Sequence, residues 1–410
     1  MGPEHPGMDY EARGHFRRGF LAAGVAITGL ALAPRALSTG TPSLDDLPDR
    51  AAWRQAATPA ADVLADWQDF ARRFVTAEGR VVDSANGGIS HSEGQGAGLL
   101  FALRADDQAR FAKILAWTRG TLRRPHDSLL AWRYRPGAPA PVSDRNNATD
   151  GDLLVAWALA DAAERWGVPE YRAQAATMAR DLLRHAVIGF GGETVLLPGV
   201  EGFQKPDHLI VNPSYYVLPA FRALGRLVRA PEWRGLTAHG VALAETARFG
   251  RWGLPADWVA LPRAGGRPAL APGWPPRFSY DALRVPLNLA WGGHVQGAAV
   301  RSAAAFWTAP SHRVMPAWVD LRTGHAAPYP ADTGQRAIAR LLVAAMRGTA
   351  GTEPMPRAAD ARHYYHAVLA MMSRLALHDL DLAPRDDGHG LMVAAQGESR
   401  GTAAAAPPRR

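Results

Sequence analysis

Three short stretches each set a carboxylate where it could do chemistry: GGISHSEGQGAGLL (87–100) around Glu93, NNATDGDLLVAWALADAAERW (146–166) around Asp150, and RFSYDALRVPLNLAW (277–291) around Asp281. Glu93 stands between two hydroxyl residues and a run of small ones, which reads as an acid kept there for chemistry. It equally fits a capping box, with Ser90 three residues before it and each side chain satisfying an orphan backbone N–H. Asp150 has the same two readings, since Thr149 could cap a helix with Asp152 at its third position. Yet Asp150 precedes a glycine, which weakens a helix and leaves space beside the carboxylate that suits a ligand. Asp281 lies three residues before Arg284. That spacing reads either as an exposed ion pair in a first helical turn, worth a few tenths of a kcal/mol, or as a charged group held for use.

Acids this far apart in sequence need a closed fold to meet. From about residue 53 the apolar spacing is mainly helical. Val63, Trp67, Phe70 and Phe74 share one face, as do Phe111, Leu115 and Thr118, and Tyr171, Met178 and Leu182. Further helical stretches run near 149–166, 170–186, 213–229, 232–248, 297–307, 335–347 and 360–378. The segment AVIGFGGETVLLPG (186–199) is the exception, with apolar runs flanking Gly191 and Gly192 as in a β-hairpin. Loops rich in Pro and Gly punctuate the helices, notably RPGAPAPVSDRNN (135–147) and LPRAGGRPALAPGWPPRF (261–278). At roughly 28 residues per helix and loop, the chain after its N-terminal segment supplies about a dozen helices, the number an (α/α)6 barrel uses. No sequence repeat marks that barrel.

Composition narrows the function. A hydrophobic content of 47% is ample for a large core. With no cysteine, disulfides, thiolate zinc sites and a cysteine nucleophile are excluded. The formal charge is +8, and all but Lys113 and Lys205 of the 46 basic residues are arginines scattered along the chain. Nucleic-acid binders concentrate such charge in a stripe with aromatic residues interleaved, so no nucleic-acid partner is expected. The 14 histidines form no HExxH arrangement, and HYYH (363–366) reads as an ordinary helix face. Neither a GxSxG elbow nor a phosphate-binding glycine loop occurs, and no metal or cofactor is expected.

At the N-terminus, HFRRGFLAAGVAITGLALAPRALS (15–38) resembles a twin-arginine export signal, with Arg17 and Arg18 ahead of a moderately apolar run too short to span a bilayer. The expected division is a signal at 1–40, one helical domain at 41–395 and a disordered tail at 396–410. The product is then periplasmic or secreted, with no stable membrane insertion once the signal is removed.

The three acid-bearing segments, in this order, resemble glycoside hydrolase family 8, whose inverting endoglucanases, xylanases and chitosanases are built on an (α/α)6 barrel. ATDGDLLVAWALADAAERW follows the family's Asp-containing consensus at nearly every position, departing at Val155, where that consensus has Ile or Met. SHSEGQGAGLLFAL is similar to the segment bearing the family's proton donor, and YDALRVPLNLAW to the one bearing its base. The likeness covers about residues 53–380. It implies that Glu93 is the general acid, Asp281 the general base, and Asp150 the consensus carboxylate, described either as a nucleophile or as holding the sugar at the cleavage point. It further implies that Trp132, Tyr215, Tyr280 and Arg284 contact substrate, with Arg284 also keeping Asp281 charged. Among members, the chain resembles those encoded beside bacterial cellulose synthase. That implies a β-1,4-glucan substrate and a cellulose synthase complex as partner, with xylan, chitosan or a non-catalytic glucan-binding barrel as alternatives.

Inversion needs a protonated carboxyl for the leaving oxygen and an ionised one, roughly 6.5–9.5 Å away, to activate water on the opposite face of the sugar. Helix beginnings favour anions, which suits Asp281 and opposes a protonated Glu93. Burial and the charge of Asp150 are expected to supply the opposing push. Sugar faces also need aromatic platforms, for which Trp132, Tyr215, Tyr216, Trp274 and Tyr280, in loops or beside the motifs, are candidates.

Overall fold

The computed structural model describes residues 58–382. The export signal expected over 1–40 and the tail expected over 396–410 lie outside the described residues. Eleven α-helices occur among those described: α1 (Ala61–Phe74), α2 (Ser92–Arg104), α3 (Gln108–Leu122), α4 (Thr149–Trp166), α5 (Pro169–His185), α6 (Leu218–Leu227), α7 (Glu232–Thr246), α8 (Arg284–Trp291), α9 (Ala298–Thr308), α10 (Thr333–Arg347) and α11 (Tyr364–Asp379). The helix expected over 213–229 is shorter. Pro213 opens a separate 3-10 turn, Pro213–Tyr215, capped by the Asn212 side chain, and α6 begins only at Leu218.

Burial sorts these helices into two layers. Each residue of α2 and of α8 is buried, and α4 is buried from Thr149 through Ala162. Helices without a solvent face must be surrounded by others. By contrast α1 buries Val63, Trp67, Phe70 and Phe74 while exposing Arg72, and α3 buries Phe111, Ile114, Leu115, Thr118 and Leu122. Such one-sided helices form the outer layer. This is a barrel of inner and outer helices.

The direction of the inner helices matters for the site. Arg104, the last residue of α2, makes a two-pronged ion pair with Asp379, the last of α11. The indole of Trp291, the last residue of α8, donates to the same Asp379 at 2.8 Å and packs edge-on against Trp157 of α4. Three C-termini converge at one end, so the beginnings of α2, α8 and α11 share the other. Close approach of α2 and α4 depends on glycines: a Cβ on Gly96 would lie 2.6 Å from the Leu154 Cβ.

The hairpin forms as the sequence indicates, Val187–Phe190 pairing with Glu193–Leu196 across Gly191 and Gly192, both at positive φ. A three-stranded sheet was not legible. In it His208–Val211 pairs with Val259–Pro262, which pairs in turn with Ala269–Leu270 from the segment read as loop. Strands of two to four residues among Pro and Gly carry too little alternation to be read.

Candidate active site

Glu93 is the second residue of α2 and is 7% exposed. The capping box expected with Ser90 does not form. Ser90 lies in a two-residue strand paired with Tyr134 and accepts from Arg80, and the cap is His91, whose Nδ1 accepts from the Gly94 N–H at 3.0 Å. Burial opposes a charge on His91, whereas the hydrogen bond with Asp83 and the nearby Glu93 and Asp150 raise its pKa. The cap works only while Nδ1 is bare, so this geometry belongs to the neutral ring with its proton on Nε2, facing Asp83. Glu93, relieved of capping, is left to face the barrel's end.

Asp150 is the second residue of α4 and is 1% exposed. Here too the expected cap is absent. Thr149 Oγ1 donates to the Leu197 carbonyl, while Asp152 accepts from the Leu130 N–H and the Asn147 amide, fastening two loops to the helix. Burial pushes Asp152 up to about 8, against the lowering effect of those bonds. The space beside Gly151 is already filled. A Cβ there would collide with Ser92 Oγ and lie 2.6 Å from the Glu93 amide nitrogen, so the glycine admits the first turn of α2 rather than a ligand. Asp150 and Glu93 are neighbours because Gly151 has no side chain.

Asp281 does not occupy a first helical turn. It sits in the turn ahead of α8, which begins at Arg284, and Arg284 is 5% exposed, so an exposed i,i+3 pair is ruled out. Its guanidinium joins all three acids. Nη1 donates to Asp150 Oδ2 at 2.9 Å and lies 2.9 Å from Glu93 Oε1, and Nη2 donates to Asp281 Oδ1 at 2.9 Å. Glu93 and Asp281 thus lie on different nitrogens of one planar fork, which keeps these two oxygens within about 8 Å of each other, a ceiling that reaches into the range used by inverting pairs. One guanidinium carries the positive charge that three carboxyls share.

The aromatic candidates divide. The Tyr215 ring is buried with its centroid 5.8 Å from the Arg284 guanidinium and 6.2 Å from the Trp258 ring, and Trp258 stacks on Trp274 at 4.0 Å. Tyr280 is half-buried, its hydroxyl 2.9 Å from that of Tyr329. Trp132 is 6% exposed, with its indole N–H bound to Asp144 and the Arg133 guanidinium 4.1 Å over the ring. Its carbonyl accepts from the Ser92 N–H, next to Glu93. Tyr216 is a core residue, its hydroxyl 2.8 Å from His239 and accepting from the Leu196 N–H.

Two residues of the site escaped the sequence reading. Tyr365, from the histidine-flanked pair read as a plain helix face, donates to the Tyr280 carbonyl. Asp257 is buried under the Asp281 turn and binds its backbone. The first has a signal in the HYYH segment, but Asp257 in LPADWVALP has no acid or base at a telling spacing.

Paired carboxyls at one end of a helical barrel, with an arginine between them and aromatic rings beside them, define a glycoside-hydrolase type of site. The glycosyl hydrolases family 8 model matches residues 50–379, and the chain belongs to that family. It is 42% identical to a probable endoglucanase of Novacetimonas hansenii over 78% of this chain and 92% of that one. With an endoglucanase of Cellulomonas uda it shares 40% over 71% and 78%. The solved endo-β-1,4-glucanase CMCax of Acetobacter xylinum superposes with a TM-score of 0.73 at 40% identity, covering 78% of this chain and 99% of that one. The fold is accordingly the (α/α)6 barrel.

Proposed function

We propose that the protein is an inverting endo-β-1,4-glucanase. The observation that carries this reading is the single guanidinium of Arg284 contacting Glu93, Asp150 and Asp281 at the shared end of the inner helices. Glu93 gives its proton to the glycosidic oxygen as the bond to the anomeric carbon breaks. A water attacks that carbon from the opposite face and passes one proton to Asp281, leaving a hydroxyl of inverted configuration. The turnover ends with Glu93 ionised and Asp281 protonated, and exchange with solvent restores both. Asp150 and Arg284 hold the reacting sugar and keep the base charged, while Tyr215 and Tyr280 offer rings beside the cleavage point. The 40–42% identity to endoglucanases supports β-1,4-glucan over xylan or chitosan. The Arg17–Arg18 signal supports export to the periplasm or beyond, and the likeness to members encoded beside cellulose synthase supports work on newly made cellulose.

The test is release of reducing ends and loss of viscosity from carboxymethyl cellulose. The parent enzyme lowers viscosity early, and Glu93→Gln loses about 100-fold or more of the rate. Retained activity in Glu93→Gln would refute the reading; binding of the polymer without cleavage by the parent would favour a non-catalytic barrel.

A further inference from the structure

The turn that carries Asp281 has no cap on its own chain segment. α8 receives no side-chain cap, and the residues ahead of it find their partner elsewhere in sequence. Asp257, which follows the short strand Leu254–Pro255, accepts at Oδ1 from the Ser279 N–H at 3.0 Å and the Ala282 N–H at 2.8 Å, and at Oδ2 from the Ser279 hydroxyl. Its own N–H is spent on the Arg277 carbonyl at 2.9 Å. One carboxylate therefore binds the backbone on both sides of Asp281.

We propose that Asp257 is a positioning residue for the base: it fixes the Ser279–Ala282 turn so that Asp281 faces Arg284, and its negative charge beside Asp281 makes that carboxylate a stronger proton acceptor. The inference deepens the proposed glucanase reading and rests on it. A carboxylate used only as a cap needs no neighbouring acid. Here burial and the charge of Asp281 push Asp257 up to about 7, against the lowering effect of its bonds to Ser279 and Ala282. When Asp257 loses its proton its negative charge stands beside Asp281, which Arg284 holds from the other side, and the rate rises with that charge. Besides Arg284, the other titratable or charged groups around the turn are Tyr280 within it, Tyr329 at the Tyr280 hydroxyl, Tyr365 at the Tyr280 carbonyl and Arg277 on the strand before it.

Three variants test this by their kcat and KM for a cello-oligosaccharide against pH, with melting curves as the check on folding. Asp257→Asn keeps acceptors for both backbone N–H groups and can donate to Ser279 Oγ, so only the charge is lost. It is expected to keep KM, to lose about tenfold in kcat, and to move the acid-side limb to lower pH. Ser279→Ala removes a bond that favours the charged form of Asp257, and should move that limb to higher pH. Asp257→Ala frees the turn and should raise KM while lowering kcat about 100-fold. Parental kcat and an unmoved limb in Asp257→Asn would overturn the inference. So would equal losses in the Asn and Ala variants with an unmoved limb, which mark a merely structural role. Should Asp257→Asn fail to fold, an unmoved limb in Ser279→Ala overturns it instead. Activity surviving in Asp281→Asn would sink the glucanase mechanism, whatever Asp257 does.

Discussion

Replacing Arg284 by lysine keeps the charge and removes the fork, and the outcome can be worked from the contacts. The guanidinium reaches Asp150 and Glu93 through Nη1 and Asp281 through Nη2, each at 2.9 Å. An ammonium is a single point on a flexible stem and cannot sit on both sides of that gap. At least one charge-assisted hydrogen bond is lost, worth about 1.5–3 kcal/mol. If the loss falls on the transition state, with each 1.36 kcal/mol a factor of ten, kcat drops about 10- to 150-fold. The acid-side limb should stay near its place, because the positive charge remains. Arg284→Met differs in kind. Three buried carboxyls lose the guanidinium, the ionised base is disfavoured, and the limb moves to higher pH; folding stability falls by roughly 3–5 kcal/mol, the usual cost of breaking a buried pair. Steady-state kinetics on cello-oligosaccharides between pH 4 and 9, with thermal melts, measure all of this. Parental kcat in Arg284→Lys, or an unmoved limb in Arg284→Met, would refute the idea that one fork organises the three acids.

Other consequences follow from the packing. Gly151→Ala puts a methyl against Ser92 and the Glu93 backbone, so kcat should fall at least tenfold, a cost typical of misplaced catalytic groups, while the Tm falls by only a few degrees. Equal activity would show that α2 gives way freely there. Asp152 titrates at about 8 when folded against an ordinary value of 3.8, so the folded state holds the extra proton. Its contribution to stability is complete below about pH 4 and is lost as pH rises through 8. Asp152→Asn should flatten the decline of Tm over that window, and an unchanged slope would contradict it.

The chemistry was more legible than the geometry that supports it. Glu93, Asp150, Asp281 and Arg284 were expected from the resemblance of their segments to glycoside hydrolase family 8, since spacing alone left helix caps and an ion pair equally open. Local spacing misled on their surroundings. Ser90 and Thr149 meet the requirements of helix caps, yet His91 takes the first cap, and Thr149 turns to the Leu197 carbonyl. Spacing records which groups can meet along one helix. It is silent on a partner from elsewhere in the chain, such as Leu197 for Thr149 or Asp257 for the Asp281 turn. Gly151 shows the same limit: the room it leaves was visible, and what fills it was not, since that depends on how closely α2 crosses α4. The layered barrel followed from apolar periodicity in its outer helices. The inner ones are buried all round and carry polar residues such as Glu93, Asp150 and Arg284, so no exposed face sets a period, and only the number of helices suggested a closed ring.

Proton NMR of the first products from a cello-oligosaccharide tests the central claim most directly, because stereochemistry reports on the two acids together. Water activated by Asp281 across the sugar from Glu93 yields the α-anomer at the new reducing end, which then mutarotates toward the β form. A β-anomer present from the first spectra would mean retention, and would contradict the assignment of Glu93 and Asp281 as an acid and a base facing each other across a water.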